Sequence, residues 1–114
     1  MIDGVPSSVV EAIREVLLRL VANDVVGALC LFSKSRVSSR DVERVIKEYG
    51  RRLTAPPEEI EIGAVRLKGE HRSAWSLRVP LWTSEEGRSD LTLEITAELN
   101  RASVVLELDD LHVL

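Results

Sequence analysis

The amino-acid sequence predicts an α+β fold in which three N-terminal helices cover one face of a bent, four-stranded antiparallel sheet. Apolar residues recur at helical spacing through the first half of the chain, and Ala55-Pro56-Pro57 then ends that pattern. From residue 74 to residue 114, apolar and polar residues alternate along the chain. Alternation with a period of two is typical of strands that bury a single face, so the helices are expected to cover that face.

The size and composition favour a single domain, 1–114, with a helical half at 7–53 and a sheet half at 58–114. A chain of 114 residues is long enough to bury roughly two thirds of its unfolded surface. The net charge of −4 argues against general binding to nucleic acid or to anionic membranes, because both require a basic surface. Apolar runs stay well below the roughly 18 residues of a membrane span, so we expect a cytoplasmic domain of bacterial type.

Cys30 is the single cysteine, which argues against an internal disulfide and against a cysteine-rich metal site. We expect it to be a small buried side chain of the second helix. Phosphate loops, nucleophile elbows and dinucleotide glycine patterns are absent from the sequence. No cofactor and no metal are therefore expected.

The first helix carries a start signal and one apolar face. Ser8 and Glu11 are spaced as a capping box, in which each side chain satisfies the other's unpaired backbone amide. The stripe that follows has helical spacing and predicts one buried face. Its members are Val9, Ile13, Val16, Leu17, Leu20 and Val21.

Two further helices are predicted from their ends. Asp24 is the expected N-cap of a short helix from Val25 to about Leu31, and Ser38 is the expected N-cap of a third helix that stops at Gly50. The segment 33–37 between them is expected to be a polar connection.

The solvent side of the third helix carries a basic ridge, whose members are Arg40, Arg44, Lys47 and Arg51. The ridge has two interpretations. It is a docking surface for an acidic partner, or it is a solvated face on which Glu43 pairs with Lys47 and Arg44 with Glu48. The solvated face is favoured, because surface charge usually serves solubility.

The sheet is expected to begin with a strand at about 59–68, followed by a turn at 69–72. Apolar residues change sides at Gly63, which predicts a bulge or bend there. The next connection, Glu85-Glu86-Gly87, fits a three-residue hairpin loop with glycine in the left-handed region. Glu85 and Glu86 are expected to be solvated at its tip.

Closing that loop with Ser84 opposite Arg88 determines which residues face each other in the hairpin. Apolar side chains then meet on the inner face, and polar or charged ones meet on the outer face. Pro80 marks a nearby irregularity, because it cannot donate to a ladder. The predicted pairs are Leu81 with Leu91, Val79 with Leu93, Leu77 with Ile95, Arg78 with Glu94 and Trp82 with Asp90.

The last tight turn is expected at Asn100-Arg101, and it leaves a mismatch because it sets Asp110 opposite Leu91 on the apolar face. Two solutions are open. In one, a bulge at Asp109-Asp110 turns both carboxylates outward and brings Leu111 inward, with Val113 following it. In the other, Asp110 and His112 point toward the helices. The predicted pairs of this hairpin are Ile95 with Leu106 and Leu93 with Leu108.

Six side chains are expected to converge at one end of the sheet: Trp82, Arg88, Asp90, Asp109, Asp110 and His112. An imidazole that a carboxylate orients is suited to general acid–base chemistry, so His112, Asp110, Asp90 and Arg88 are the catalytic candidates. Trp82, Arg88 and Asp109 are the candidates for binding a ligand or partner. A purely structural role is the alternative, with Arg88 and Asp90 pairing beside the loop and the two aspartates ending a ladder.

Helices followed by a bent antiparallel meander resemble the cystatin-like superfamily, which includes the nuclear transport factor and SnoaL-like polyketide-cyclase folds. The resemblance implies a curled sheet that wraps a long helix as a cone, with Asp–His pairs deep in the cavity of the enzymes; Asp110 and His112 match such a pair. The stretch 79–94 and the ending 109–114 are also similar to a small bacterial domain family of unknown function. That second resemblance implies no activity.

The expected function is therefore a non-catalytic module that binds a protein or a small ligand and forms a homodimer through the outer face of its sheet. Its apolar contacts are expected from Ala74, Trp82, Val105 and Leu111. The alternative is a small hydrolase or isomerase with His112 as base, Asp110 as its orienting group and Arg88 holding an anionic substrate.

Overall fold

A computed structural model describes residues 4–69, 73–101 and 103–114 of the chain. The predicted turn at 69–72 therefore lies largely outside the described residues. The elements in chain order are α1 (Ser7–Val21), α2 (Val25–Leu29), β1 (Lys34–Ser35), α3 (Ser39–Tyr49), β2 (Gly63–Arg66), β3 (Ala74–Thr83), β4 (Gly87–Asn100) and β5 (Ser103–Val113).

The α+β class and the three helices are confirmed, but the sheet has five strands and is mixed. Its strand order is β1-β5-β4-β3-β2, and β1 runs parallel to β5. The segment 33–37, expected to be a connection, contains β1. The strand is held because Ser33 N–H donates to the Leu106 carbonyl at 2.8 Å and Arg36 N–H to the Leu108 carbonyl at 2.9 Å. Two residues are too few to show an alternation in the sequence.

The helix ends follow the predicted caps at α2 and α3 but not at α1. The side chain of Asp24 accepts from Gly27 N–H, and that of Ser38 accepts from Asp41 N–H. The capping box at Ser8 is wrong, since α1 begins at Ser7 and no side chain caps it. Pro6 is extended at the N-cap position and its carbonyl accepts from two amides of the first turn, so Ser8 already lies inside the helix.

One hydrophobic core joins the inner face of the sheet to the predicted stripe of α1. Cys30 is outside it: the prediction of burial is wrong, because α2 ends at Leu29 and leaves Cys30 exposed. Trp75 is part of the core. The fully buried apolar side chains include Val9, Ile13, Val16, Val42, Leu77, Val79, Leu91, Leu93, Ile95 and Leu108.

The first predicted strand is shorter than expected and lacks the bulge at Gly63, which instead begins β2. Ile60 and Ile62 are buried in an irregular stretch before it. Arg14 of α1 donates to the carbonyls of Pro57 and Glu58. An arginine side chain thus satisfies carbonyl groups at the start of this stretch in place of a neighbouring strand.

The hairpin of β3 and β4 has the predicted register up to Pro80 and a different one beyond it. Arg78 pairs with Glu94, Val79 with Leu93 and Leu77 with Ile95, as predicted. The pairings of Ser84 with Arg88 and of Trp82 with Asp90 are wrong. Thr83 pairs with Gly87 and Trp82 with Arg88 instead.

The ladder shifts between Pro80 and Trp82, at the predicted irregularity, so Leu81 faces the stretch 89–91 rather than a single partner. Ser89 Oγ donates to the Leu81 carbonyl at 2.7 Å and fixes this bulge. Gly87 has a φ of 76°, so the left-handed glycine of the loop is confirmed.

The pairing of β4 with β5 is offset by two residues from the prediction. Asn100 pairs with Ser103 and Arg101 takes a φ of 58°, so the turn lies one residue further along the chain. Ile95 therefore meets Leu108 rather than Leu106, and Leu93 meets Leu111 rather than Leu108.

A register shift between Glu94 and Ile95 leaves Asp109 as the extra residue of β5. The bulge solution is thus confirmed for Leu111, which is buried. Val113 pairs with the buried Leu91, as that solution expects, but it is itself 54% exposed and does not join the core.

Candidate functional site

The six predicted site residues do not form one cluster. Arg88 and Asp90 lie beside a trough at the β3 side of the outer face, which is the face of the sheet turned away from the helices. Asp109, Asp110 and His112 lie on β5, at the other side of that face. Trp82 belongs to neither group.

The trough has a volume of about 420 Å³. Pro80, Thr92 and the buried Ser89 contribute to its lining, as do Arg78 and Asp90. It is a shallow concavity with charges of both signs along its walls.

Arg88 pairs across the trough with Glu61, and not with Asp90 as the structural interpretation expects. Arg88 Nη1 lies 2.7 Å from Glu61 Oε2. The hydrogen bond and the charge of Glu61 raise the pKa of Arg88. Arg88 is thereby fixed as a wall of the trough.

The two aspartates of β5 have local partners. Thr96 Oγ1 donates to Asp109 Oδ2 at 2.7 Å, and Leu111 N–H donates to Asp110 Oδ1 at 2.9 Å. These contacts hold the bulge that returns Leu111 to the core. Both aspartates therefore have a structural role.

His112 faces Glu94 rather than Asp110. Its Nε2 lies 3.5 Å from Glu94 Oε1, and the same oxygen lies 3.0 Å from Arg78 Nε. The histidine side chain is 38% exposed and is not part of the trough lining. The predicted Asp110–His112 pair is therefore not formed: His112 lies next to the Arg78–Glu94 ion pair on an open face, and its Nε2 has no hydrogen-bond partner among the described residues.

Trp82, a predicted contact residue for a ligand or partner, is half-buried. Its ring lies beside Gly87, where an added Cβ would be 3.7 Å from Cζ3. The indole Nε1 is buried, and no described residue accepts its hydrogen bond.

Glu85 and Glu86 are exposed, as expected, but both carboxylates also accept hydrogen bonds from the helical half of the chain. Both carboxylate oxygens of Glu86 lie 2.9 Å from the hydroxyl of Tyr49, and Thr83 Oγ1 donates to Glu86 at 3.1 Å. Arg52 N–H donates to Glu85 at 3.0 Å and lowers its pKa. The loop is thus tied to the end of α3, a contact between residues 37 apart that no local spacing reveals.

This contact makes a testable prediction for Tyr49, the single tyrosine of the chain. Partial burial and the hydrogen bond to Glu86 raise its pKa above the ordinary value. We expect Glu86→Gln to lower the pKa of Tyr49, because the neutral amide no longer disfavours the phenolate. The ultraviolet absorbance of the phenolate in a pH titration measures the change.

Glu85→Gln is the matched control, because it makes the same substitution at the neighbouring position without touching Tyr49. Its Tyr49 titration curve is expected to overlay that of the wild type. An unchanged curve for Glu86→Gln would show that the hydroxyl does not bond to this carboxylate.

Within the described residues, no group of three or more His, Cys, Asp or Glu side chains is arranged to hold a metal ion. No helix in the described part of the chain is both long enough and apolar enough to cross a membrane.

Comparison with known proteins gives one family match. The model of a family described as "Domain of unknown function (DUF7668)" matches residues 18–114. No curated protein and no solved structure matches the chain.

Proposed function

The chain belongs to the DUF7668 family, a domain of unknown function, and from this starting point we propose that it is a non-catalytic interaction module that pairs with a second copy through the outer face of its sheet. The observation that carries the proposal is the order of charges across that face. Arg78, Glu94 and Asp110 lie side by side on β3, β4 and β5. The row is positive at its β3 end and negative at its β5 end.

The two ends of this row are complementary to each other. A rotation of 180° about an axis that runs along β4, just above the outer face, keeps each row in place and exchanges β3 with β5. Arg78 of one copy then faces Asp110 of the other, and the same contact occurs twice. An isologous dimer requires this property of its surface. Glu94 lies on the axis and faces Glu94 of the other copy, and the ion pair with Arg78 of its own chain at 3.0 Å offsets this repulsion.

The neighbouring row supports the same arrangement by shape. Pro80, Thr92 and His112 lie side by side on the three strands. The rotation that pairs Arg78 with Asp110 also sets His112 of one copy over the Pro80 end of the row, where the trough lies. The trough is lined by Glu61 and Asp90 as well as by Arg78 and Arg88, so the fit of the imidazole there is one of shape rather than of charge.

The expected apolar contribution to this interface must be revised. Ala74 is fully buried and Leu111 is 4% exposed, so both belong to the core. Of the four predicted contacts, Val105 stays on this face, half-buried. Charge pairing must then supply most of the recognition, and each exposed ion pair contributes only about 0–1 kcal/mol.

The available area also indicates a weak dimer. The five strands lie about 4.8 Å apart and contain 41 residues that rise about 3.4 Å each, so the face covers about 670 Å² per copy. Stable interfaces use about 800 Å² per partner. We therefore expect an association that weakens as salt is added.

Charge reversal tests the proposal. Arg78→Asp and Asp110→Arg are each expected to make the protein monomeric at low salt, because each places like charges opposite each other. The double variant Arg78→Asp/Asp110→Arg is expected to restore the dimer, since it reverses both partners of the contact. Sedimentation equilibrium over a range of concentrations measures the dissociation constant.

Arg40→Asp is the control, because it makes the same charge change on the helical side of the molecule. It is expected to leave the dimer intact, and circular dichroism establishes that each variant is folded. A wild-type protein that stays monomeric at high concentration and low salt would refute the proposal, as would a double variant that fails to re-associate.

The hydrolase or isomerase alternative makes a separate prediction. It requires turnover that His112→Ala abolishes, with Glu94 in the orienting role expected of Asp110. The cone-shaped layout, the bacterial origin and the cytoplasmic location stay predictions from the sequence.

A further inference from the structure

Positive charge is concentrated in one part of the chain, on the helical side of the molecule. Residues 34–52 contain seven of the 15 lysines and arginines but three of the 19 acidic residues. That segment carries a net charge of +4, whereas the whole chain carries −4, so the remainder carries −8. The segment includes α3 and its predicted basic ridge.

The contacts of α3 separate the ridge residues into two kinds. Arg44 is neutralised within the helix, with Asp41 at 3.6 Å and Glu48 at 3.4 Å. The predicted pairing of Arg44 with Glu48 is therefore confirmed. In the part of the chain that the structure describes, Glu43 and Lys47 form no ion pair, and Arg51 forms none either.

Lys47 and Arg51 stand on the rim of a groove, which we call the α2–α3 groove. It has a volume of about 500 Å³. Its apolar floor consists of Leu20 and Val25, both buried, together with the partly exposed Ile46. The floor is therefore apolar, and one rim is basic.

Two other residues complete the walls of this groove. Asn23 has a left-handed backbone with a φ of 61°, and its exposed amide side chain lies at the groove. Glu43 lines the groove as well and is exposed. A ligand must therefore place negative charge beside Lys47 and Arg51. It must also avoid negative charge next to Glu43, which would repel it.

We infer that the α2–α3 groove docks a short acidic segment of a partner protein, with an apolar side chain on the floor and carboxylates on Lys47 and Arg51. Charge complementarity carries this inference, together with the apolar floor beneath the basic rim. A nucleic acid fits less well, because phosphates gain nothing from an apolar floor and the rest of the chain repels a polyanion. The groove is on the helical side, so its occupation is compatible with pairing through the sheet.

The test uses short synthetic peptides with a fluorescent label and measures anisotropy at low salt. The probe alternates glutamate and leucine; one comparison peptide replaces glutamate by glutamine, and another replaces leucine by alanine. We expect the probe to bind the wild type about tenfold more tightly than either comparison peptide, a difference of about 1.4 kcal/mol. A short DNA duplex is the fourth ligand.

The matched variants are Lys47→Glu/Arg51→Glu in the groove and Arg36→Glu/Arg40→Glu outside it. All four positions are exposed and the charge changes are equal. The groove variant is expected to lose about tenfold in affinity for the probe, while the outside variant retains it within about twofold.

Equal losses in the two variants would mean that general attraction suffices, and the docking site would be refuted. If the alanine peptide bound as tightly as the probe, the apolar floor would not contribute to binding. If the duplex bound more tightly than the probe, the ligand would be a nucleic acid. Both outcomes overturn the inference. Circular dichroism checks that the variants are folded, and the dimer measurement is independent of all of these arms.

Discussion

Deletion of one aspartate from the Asp109-Asp110 pair is expected to leave the fold intact, at a cost below about 1.5 kcal/mol. Asp109 is the extra residue of a bulge, so its removal joins Leu108 directly to Asp110, which pairs with Glu94. Leu111 then still faces Leu93 and stays buried. The loss is limited to the hydrogen bond that Thr96 donates to Asp109.

Deletion of Glu107 is the comparison, and it is expected to destabilise the protein strongly. With the turn unchanged, Leu108 moves to the outer face and Asp109 moves inward against Ile95. A one-residue slip in a half-buried strand exposes an apolar side chain and buries a carboxylate. We expect a loss of about 3 kcal/mol or more in the free energy of unfolding.

Urea unfolding, followed by circular dichroism, measures both deletions. The contrast between the two is the informative quantity, because each variant lacks one acidic residue of the same strand. If the aspartate deletion unfolds the protein as readily as the Glu107 deletion, then Asp109 is not a bulge residue.

Leu93→Ala is expected to destabilise the protein by about 3 kcal/mol, because it leaves a cavity at the centre of the core. Leu93 is 1% exposed on the central strand of the β3–β5 meander, between Val79 on one side and Leu111 on the other. Neither neighbour can fill the gap without moving its own strand. The free energy of unfolding in urea measures the loss.

Leu18→Ala makes the same chemical change on the solvent side of α1, where Leu18 is 42% exposed. We expect it to cost less than about 1 kcal/mol. Similar values for the two variants would be incompatible with Leu93 at the centre of the core.

The features that the sequence predicts correctly are those determined by residues close together in the chain. Asp24 and Ser38 cap helices because a short polar side chain reaches an amide three residues away. Gly50 ends α3 in the left-handed conformation for an equally local reason. The Arg78–Glu94 pair follows from a hairpin with a short loop.

The failed predictions depend on contacts between distant residues or on competition between alternatives of similar energy. β1 exists because two amides meet carbonyls of β5, more than 70 residues away. The turn after β4 moved by one residue, which offset every pair that follows it. Alternation in the sequence indicates which face a residue takes, but it does not distinguish registers two residues apart.

The sequence predicts one cluster of six candidate residues, whereas the structure places them in separate parts of the sheet. Arg88 and Asp90 do line one trough, as their places beside a single hairpin suggest. The spacing of Asp110 and His112 predicts that they form a pair. In the structure, His112 instead lies next to Glu94 on the neighbouring strand. Glu86 was missed because its partner, Tyr49, lies on a helix in the other half of the chain.

Strand β2 is an exposed edge strand of the sheet. All four of its residues are exposed, so half of its backbone groups are open to another chain. The guanidinium of Arg66 lies 5.9 Å from the ring centre of Trp75, which holds a positive charge beside that rim, and Lys68 follows two residues later. A further strand would have to desolvate these charges, so lateral, fibril-like addition at this edge of the sheet is disfavoured.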